Sequence, residues 1–233
     1  MVLVLGALAV GADRLAVHLA EGQAAEKLQS SAGLATTPEV SIKGFPFLTQ
    51  IATGEVEEID ASIGSYEATV PGGGTGRIDQ LELQLKSVEF TNSFTSATAR
   101  SATGTALIPY SELLKAAPDG GQGDGAARAR ITGLSDGGNG RIKAEVSAVR
   151  PDTGKEETYT VLSTVEVSGD TIRVRADELP SEAAAVPEDQ LRQVTDFQQT
   201  LTRLPGGISV QRAEPLPDGL RITVGGANVS LTG

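Results

Sequence analysis

A single imidazole, His18, and the absence of any thiol restrict the chemistry open to this chain before any element is placed. Without Cys there is no disulfide framework, no thiolate metal site and no thiol nucleophile. His18 stands beside Leu15 and Leu19 with no second metal ligand or orienting carboxylate in a recognisable motif, so it reads as a surface or interface residue. No G-x-S-x-G elbow is present, which removes the common serine hydrolase layout. Glu55, Glu57, Glu58 and Asp60 could supply paired carboxylates for acid–base work, but along a strand such a run lines the solvent face. The glycine loops are equally bare of chemistry. Gly120 to Asp124 falls one residue short of the calcium β-roll pattern and is not repeated. Asp136 to Gly140 lacks the acidic partner of an EF-hand loop, and neither loop has the Lys-Ser/Thr end of a P-loop. Both read as hairpin turns, and the sequon at Asn228-Val229-Ser230 reads as chance. The expectation is a protein with no catalytic residues, no metal and no cofactor.

Charge and composition narrow the partners. The net charge of −11 is uneven: three basic and nine acidic residues in 1–75, nine and eight in 76–150, seven and thirteen in 151–233. No segment forms a basic stripe interleaved with aromatic residues, so nucleic acid is excluded as a partner, and clusters of Lys and Arg for anionic headgroups are also missing. With no Trp, five Phe and three Tyr, burial falls to Ala, Val, Leu and Ile. Aliphatic side chains suit a smooth cavity and an ordinary core alike.

Residues of this kind must be positioned by strands and a few helices. Met1 to Ala12 is an uncharged apolar run, shorter than the roughly 20 residues that cross a bilayer. It matches the apolar part of a signal peptide or the end of a signal-anchor whose first residues are absent here. The expected organisation is therefore this segment at 1–12 and a single domain at 13–233, lying outside the cytoplasmic membrane. Leu8, Ala12, Leu15 and Leu19 recur on one face of a helix that Gly33 can stop. Beyond Pro38 the pattern alternates: Val40 and Ile42; Ile59, Ala61 and Ile63; Leu81, Leu83 and Leu85. Val88 and Phe90 take the opposite parity, which predicts a bulge near Lys86–Ser87. Ile142 to Ala148, Ile172 to Ala176 and Leu220 to Val224 alternate likewise, so the sheets have one covered face and one wet. Turn chemistry at 71–76, 118–125, 135–140, 151–154 and 217–219 separates them. A short helix is predicted around Ser111 to Ala117, and another from Pro187 to about Arg203 with Leu191, Val194, Gln198 and Leu201 on one face. This is an α+β pattern of long antiparallel strands.

One segment is not generic: Pro38 to Gln50, containing Gly44-Phe45-Pro46-Phe47-Leu48-Thr49-Gln50. Ala12-Asp13-Arg14 and Ala24-Ala25 precede it. Gly104, Ile108 to Leu113, Leu204 to Ile208 and Asp218-Gly219-Leu220 follow. Together these make the chain resemble the LmeA-like phospholipid-binding family of actinobacterial envelope proteins, exported or membrane-tethered, over nearly its whole length. The resemblance implies a fold similar to tubular lipid-binding domains, a long curved antiparallel sheet wrapped around the N-terminal helix, with a second helix near the C-terminus. It implies phospholipid as ligand, phosphatidylinositol types included, a cell membrane as partner, and a role in envelope lipid or lipoglycan biogenesis. The residues expected to meet lipid are Phe45, Phe47 and Leu48 of the motif and Leu81, Leu83 and Leu85 of the strand. If the motif is extended, both Phe rings share one side, Phe47 belonging to the core and Phe45 touching ligand.

A groove for lipid competes with the bilayer, not with water. Each buried methylene contributes about 0.8 kcal/mol, so the site should be deep and aliphatic. The alternative is a non-enzymatic envelope scaffold that binds protein or polysaccharide, for which a filled, groove-free core is expected. A lipid-modifying enzyme would need Ser or Asp gathered around His18 at a pocket.

Overall fold

The structure, a computed structural model, describes residues 2–70, 74–91, 96–117, 129–200 and 207–232. In chain order it runs α1 (Val2–Ala32), β1 (Glu39–Lys43), α2 (Phe47–Thr53), β2 (Glu55–Val70), β3 (Gly74–Thr91), β4 (Ser96–Pro109) and α3 (Tyr110–Lys115). It continues with β5 (Ala129–Gly138), β6 (Arg141–Val149), β7 (Glu156–Ser168), β8 (Thr171–Ala176), α4 (Glu188–Thr195), β9 (Phe197–Thr200), β10 (Ile208–Leu216) and β11 (Gly219–Thr232). The class is α+β, and the strands form two sheets, ordered β1-β2-β3-β4-β11-β10 and β5-β6-β7-β8-β9. Two compact units result: Met1–Ala106 with Arg203–Ser209 and Val224–Gly233, and Leu107–Thr202 with Val210–Thr223. Strands β4, β10 and β11 contribute residues to both.

In the first unit α1 packs on β1 and α2. Its buried side carries Asp13, Val17 and Ala25, residues that 3.6 per turn brings to one flank. Leu8, Leu15 and Leu19 share a face, as their spacing predicts, but it is the opposite and exposed one. What decides the docked side is polar. The Ile42 N–H of edge strand β1 donates to Glu21 Oε1 at 2.8 Å, and the Leu48 N–H donates to Asp13 Oδ1 at 2.9 Å. An edge strand's free N–H groups need such partners.

β2 and β3 pair antiparallel from Glu55↔Glu89 to Val70↔Gly74 in one unbroken register. The predicted bulge at Lys86–Ser87 is thus corrected. The parity does change there, from buried Leu85 to buried Val88, but no residue is inserted. Ser87 takes a left-handed φ of 48°, and β2 changes face with it, since Val56 lies opposite Val88 and Ile59 opposite Leu85. The core of this unit gathers Val56, Leu85, Val88, Ala97, Ala99, Ala102 and Val229.

The second unit closes its own core from the five-stranded sheet and α4: Val146, Tyr159, Val161, Ala176, Leu191 and Val194 among others. The predicted helix from Pro187 to Arg203 is shorter than expected. It ends at Thr195, and residues 197–200 pair with β8 as β9. The cause is Asp196, which is extended at φ −102° and ψ 107° and whose Oδ1 accepts the Ala176 N–H at 2.8 Å. Leu191 and Val194 keep their buried face, Gln198 belongs to the strand, and Leu201 lies outside the described residues. The loop at 118–125 also lies outside them. The 136–140 turn is a hairpin stitched by the Gly138 N–H donating to Asp136 Oδ1 at 2.9 Å.

Candidate functional site

The inner face of the five-stranded sheet does not fill itself everywhere. Ile142 of β6 stands opposite Ser163 of β7; Ile172 and Val174 of β8 stand opposite Gln199 and Phe197 of β9. Between this wall and Ile108, Leu113, Leu220 and Ile222 lies an apolar cavity of about 240 Å³, wholly within the second unit. Ala144 also lines it, and a methyl at that position leaves space that a longer side chain would occupy. Two hydroxyls punctuate the wall, those of the buried Ser163 and Thr195. Thr195 is held at the end of α4, its Oγ1 within 3.0 Å of the Leu191 carbonyl and 3.1 Å of Asp196 Oδ1. Asp196 Oδ2 in turn meets Arg192 Nη1 at 3.3 Å, so the polar rim is anchored by charge-assisted bonds.

The volume sets what fits. A dry cavity of about 150 Å³ holds benzene's six carbons, so 240 Å³ holds about ten carbons of an alkyl chain on the same scale. Filling it contributes about 8 kcal/mol at 0.8 kcal/mol per methylene. That matches the inner part of one acyl chain.

Also in the second unit, Tyr110 opens α3 with its hydroxyl buried and without a hydrogen-bond partner among the described residues. Burial, then the charge of Asp136, pushes its pKa up to about 12. The hydroxyl stays protonated at any physiological pH.

The larger cavities of the first unit place charged and polar side chains among apolar ones, Leu83 of β3 included. One of about 480 Å³ is lined by Glu39, Ser41, Lys43, Asp60, Glu82 and Gln84 among others; an acyl chain there would strip water from groups it cannot bond. Another, of about 640 Å³, touches Arg14, His18, Lys43 and Phe45. Among the described residues no three His, Asp or Glu side chains gather as a metal site.

The Gly44–Gln50 motif is a structural staple. Gly44 has φ +95°, and a Cβ there would lie 2.6 Å from Gln50 Nε2. That amide needs the space: Nε2 donates to the Lys43 carbonyl at 3.3 Å and Oε1 accepts the Glu57 N–H at 2.7 Å. The condition for that reading of the two rings, an extended segment, is not met: the chain enters α2 at Phe47, directly after the cis Phe45–Pro46 bond, so the rings do not share a side by strand alternation. Phe47 is 5% exposed and Phe45 56%. Pro46, the N-cap, offers no side-chain acceptor, and Asp13 of α1 supplies one to Leu48 instead.

Of the six residues expected to meet lipid, Phe47 and Leu85 are buried in the first unit, and Leu81 and Leu83 are half-buried on β3. Phe45 and Leu48 are exposed at the α1–α2 contact. None lines the apolar cavity. The lining residues on β6, β8 and β11 carry a visible signal, since Ile142 with Ala144, Ile172 with Val174 and Leu220 with Ile222 each alternate. What the alternation cannot show is which of these faces meet around a void.

No individual curated protein and no solved structure shows a significant match to the chain. Residues 11–225, however, match the family described as LmeA-like phospholipid-binding. That span takes in the motif, the cavity walls and the last strand to Gly225, and the chain belongs to the LmeA-like phospholipid-binding family.

Proposed function

We propose that this chain is an extracytoplasmic phospholipid-binding protein that takes one acyl chain into the cavity of its second unit and serves cell-envelope lipid or lipoglycan biogenesis without catalysing a reaction. Family membership supports phospholipid as the ligand class. The apolar cavity supports an acyl chain as the part that is held: about 240 Å³ lined mainly by Ile, Leu, Val and Phe side chains, with two buried hydroxyls. A scaffold for protein or polysaccharide would instead be expected to have a filled, groove-free core. Phosphatidylinositol types remain the favoured headgroup.

The cavity's size also bears on the mode of binding. A sixteen-carbon chain represents roughly 13 kcal/mol of burial and ten carbons about 8 kcal/mol. A lipid carried away from the bilayer with six carbons wet would lose about 5 kcal/mol, several thousandfold in equilibrium. Holding the chain while the rest of the lipid stays in a membrane avoids that loss. The favoured role is therefore a membrane-associated lipid holder or sensor rather than a long-range ferry.

The test is occupancy against cavity volume. The purified chain is extracted with organic solvent and the lipid quantified by mass spectrometry, beside Ala144→Leu, which adds three carbons to the wall. The expected result is phospholipid bound to the parent and at least tenfold less to Ala144→Leu, about 2 kcal/mol for three displaced methylenes. Equal lipid in the two proteins would remove the cavity as the site.

A further inference from the structure

Among the described residues, the exposed large apolar side chains are Leu8, Val10, Leu15, Leu19, Phe45 and Leu48. All belong to α1 or to the motif that α1 holds, so the described part of the first unit gathers its wet apolar surface in one place. From Gly6 to Ala12 the helix is uncharged and exposed at every residue. A helix apolar on all sides has no preferred face to lay on a surface. Immediately after this run the character changes. Asp13 is buried and binds the Leu48 N–H, while the Arg14 guanidinium stacks 4.9 Å from the centre of the Phe45 ring. His18 and Lys43 line the same cavity as Arg14 and Phe45. Phe45 and Leu48 are thus fixed at the level where the apolar run ends, with cationic and imidazole groups beside them.

That order of groups along one axis is the order of a lipid leaflet: apolar, then aromatic and cationic, then acidic protein. We propose that α1 enters a phospholipid bilayer end-on through Gly6–Ala12, with Phe45, Leu48 and Arg14 forming a collar at the lipid–water boundary and Arg14, His18 and Lys43 facing the headgroup phosphates. Seven residues rise about 10 Å, a third of the roughly 30 Å hydrocarbon core, so the described run enters one leaflet. Aromatic rings prefer the headgroup level, and an Arg stem can lie along apolar surface while its charge stays wet. Glu21 lines the same cavity, and Arg14 and Lys43 each lie 3.9 Å from a carboxylate, Asp13 and Asp60, so entry is driven by the apolar run and the rings and not by net local charge. The inference rests on the phospholipid reading above only for the class of partner.

The chain has no Trp, so Phe45→Trp gives a single indole at the collar. Its emission is recorded with vesicles of phosphatidylcholine and phosphatidylglycerol, some brominated at shallow or deep acyl positions. The expected result is a blue shift, loss of quenching by aqueous iodide, and stronger quenching by shallow than by deep bromine. Val10→Asp in the same background should weaken vesicle association on the order of tenfold or more. Adding Ala144→Leu should leave the blue shift unchanged. An indole that stays open to iodide on vesicles would overturn the docking surface, even where extracted phospholipid still shows the cavity filled. A blue shift with an empty cavity would instead leave the docking surface standing and count against the acyl site.

Discussion

Tyr110 shows how one unpaired atom can be read in solution. Its hydroxyl is buried without a hydrogen-bond partner among the described residues, and burial with the charge of Asp136 raises its pKa from 10.0 to about 12. The folded chain therefore holds this proton to higher pH than the unfolded chain does. The contribution to stability is complete below pH 10 and is lost as pH rises through about 12. Tyr110→Phe should flatten that alkaline decline. It should also raise stability at neutral pH by roughly 1 kcal/mol, because a buried group left unpaired is costly. Urea midpoints of both proteins at about pH 8 and about pH 11 check this; an equal decline in the two would show that Tyr110 titrates as in the unfolded chain. At this scale the sequence is partly transparent. Phe47 is legible as core, since Leu48 and Ile51 follow it. The roles of Gly44 and Gln50 are not, because only the folded loop shows that the Gln50 amide fills the space a Cβ at Gly44 would need.

Among elements, the side of α1 that docks is chosen by hydrogen-bonding need and not by hydrophobicity. The Leu8–Leu15–Leu19 face is the better apolar stripe, yet the face carrying Asp13 and Glu21 is the one that meets α2 and β1. This is why periodicity finds the helix and leaves open which side is buried. The same competition shortens α4, where Asp196 completes a β8 N–H and turns the chain into β9. β4 escapes sequence reading for a different reason: its buried positions include Ala97, Ala99 and Ala102, too small to stand out in an alternating pattern. Asp13 offers the direct check on this scale. Asp13→Ala removes the acceptor of the Leu48 N–H and should cost about 1–2 kcal/mol, as lost helix caps do. Asp13→Asn keeps an oxygen for that N–H and should cost less. Thermal unfolding of the two variants decides it, a shift of about 2–4 °C per kcal/mol being the scale for a chain this long. Equal losses would mean that Asp13 acts through its charge.

For the whole molecule, the family was readable from the chain, and so were the α+β class and the antiparallel strands. The division into two units was not, because its borders fall inside β4, β10 and β11, where no break in composition marks them. The apolar cavity was hidden for a related reason. Its walls come from segments between Ile108 and Ile222 that are far apart in sequence, while the motif that identifies the family lies in the first unit and builds a staple. If the second unit holds an acyl chain, a bound lipid must touch its cavity walls. A phospholipid with a photoactivatable group near its acyl terminus is incubated with the full chain, irradiated, and the cross-linked peptides are mapped by mass spectrometry. Adducts are expected on the β6 and β8 peptides around Ile142–Ala144 and Ile172–Val174, with Phe197 on β9, and are expected to be lost in Ala144→Leu. Adducts confined to Phe45, Leu48 and the α1 residues, with none on β6 or β8, would contradict an acyl chain held in the second unit.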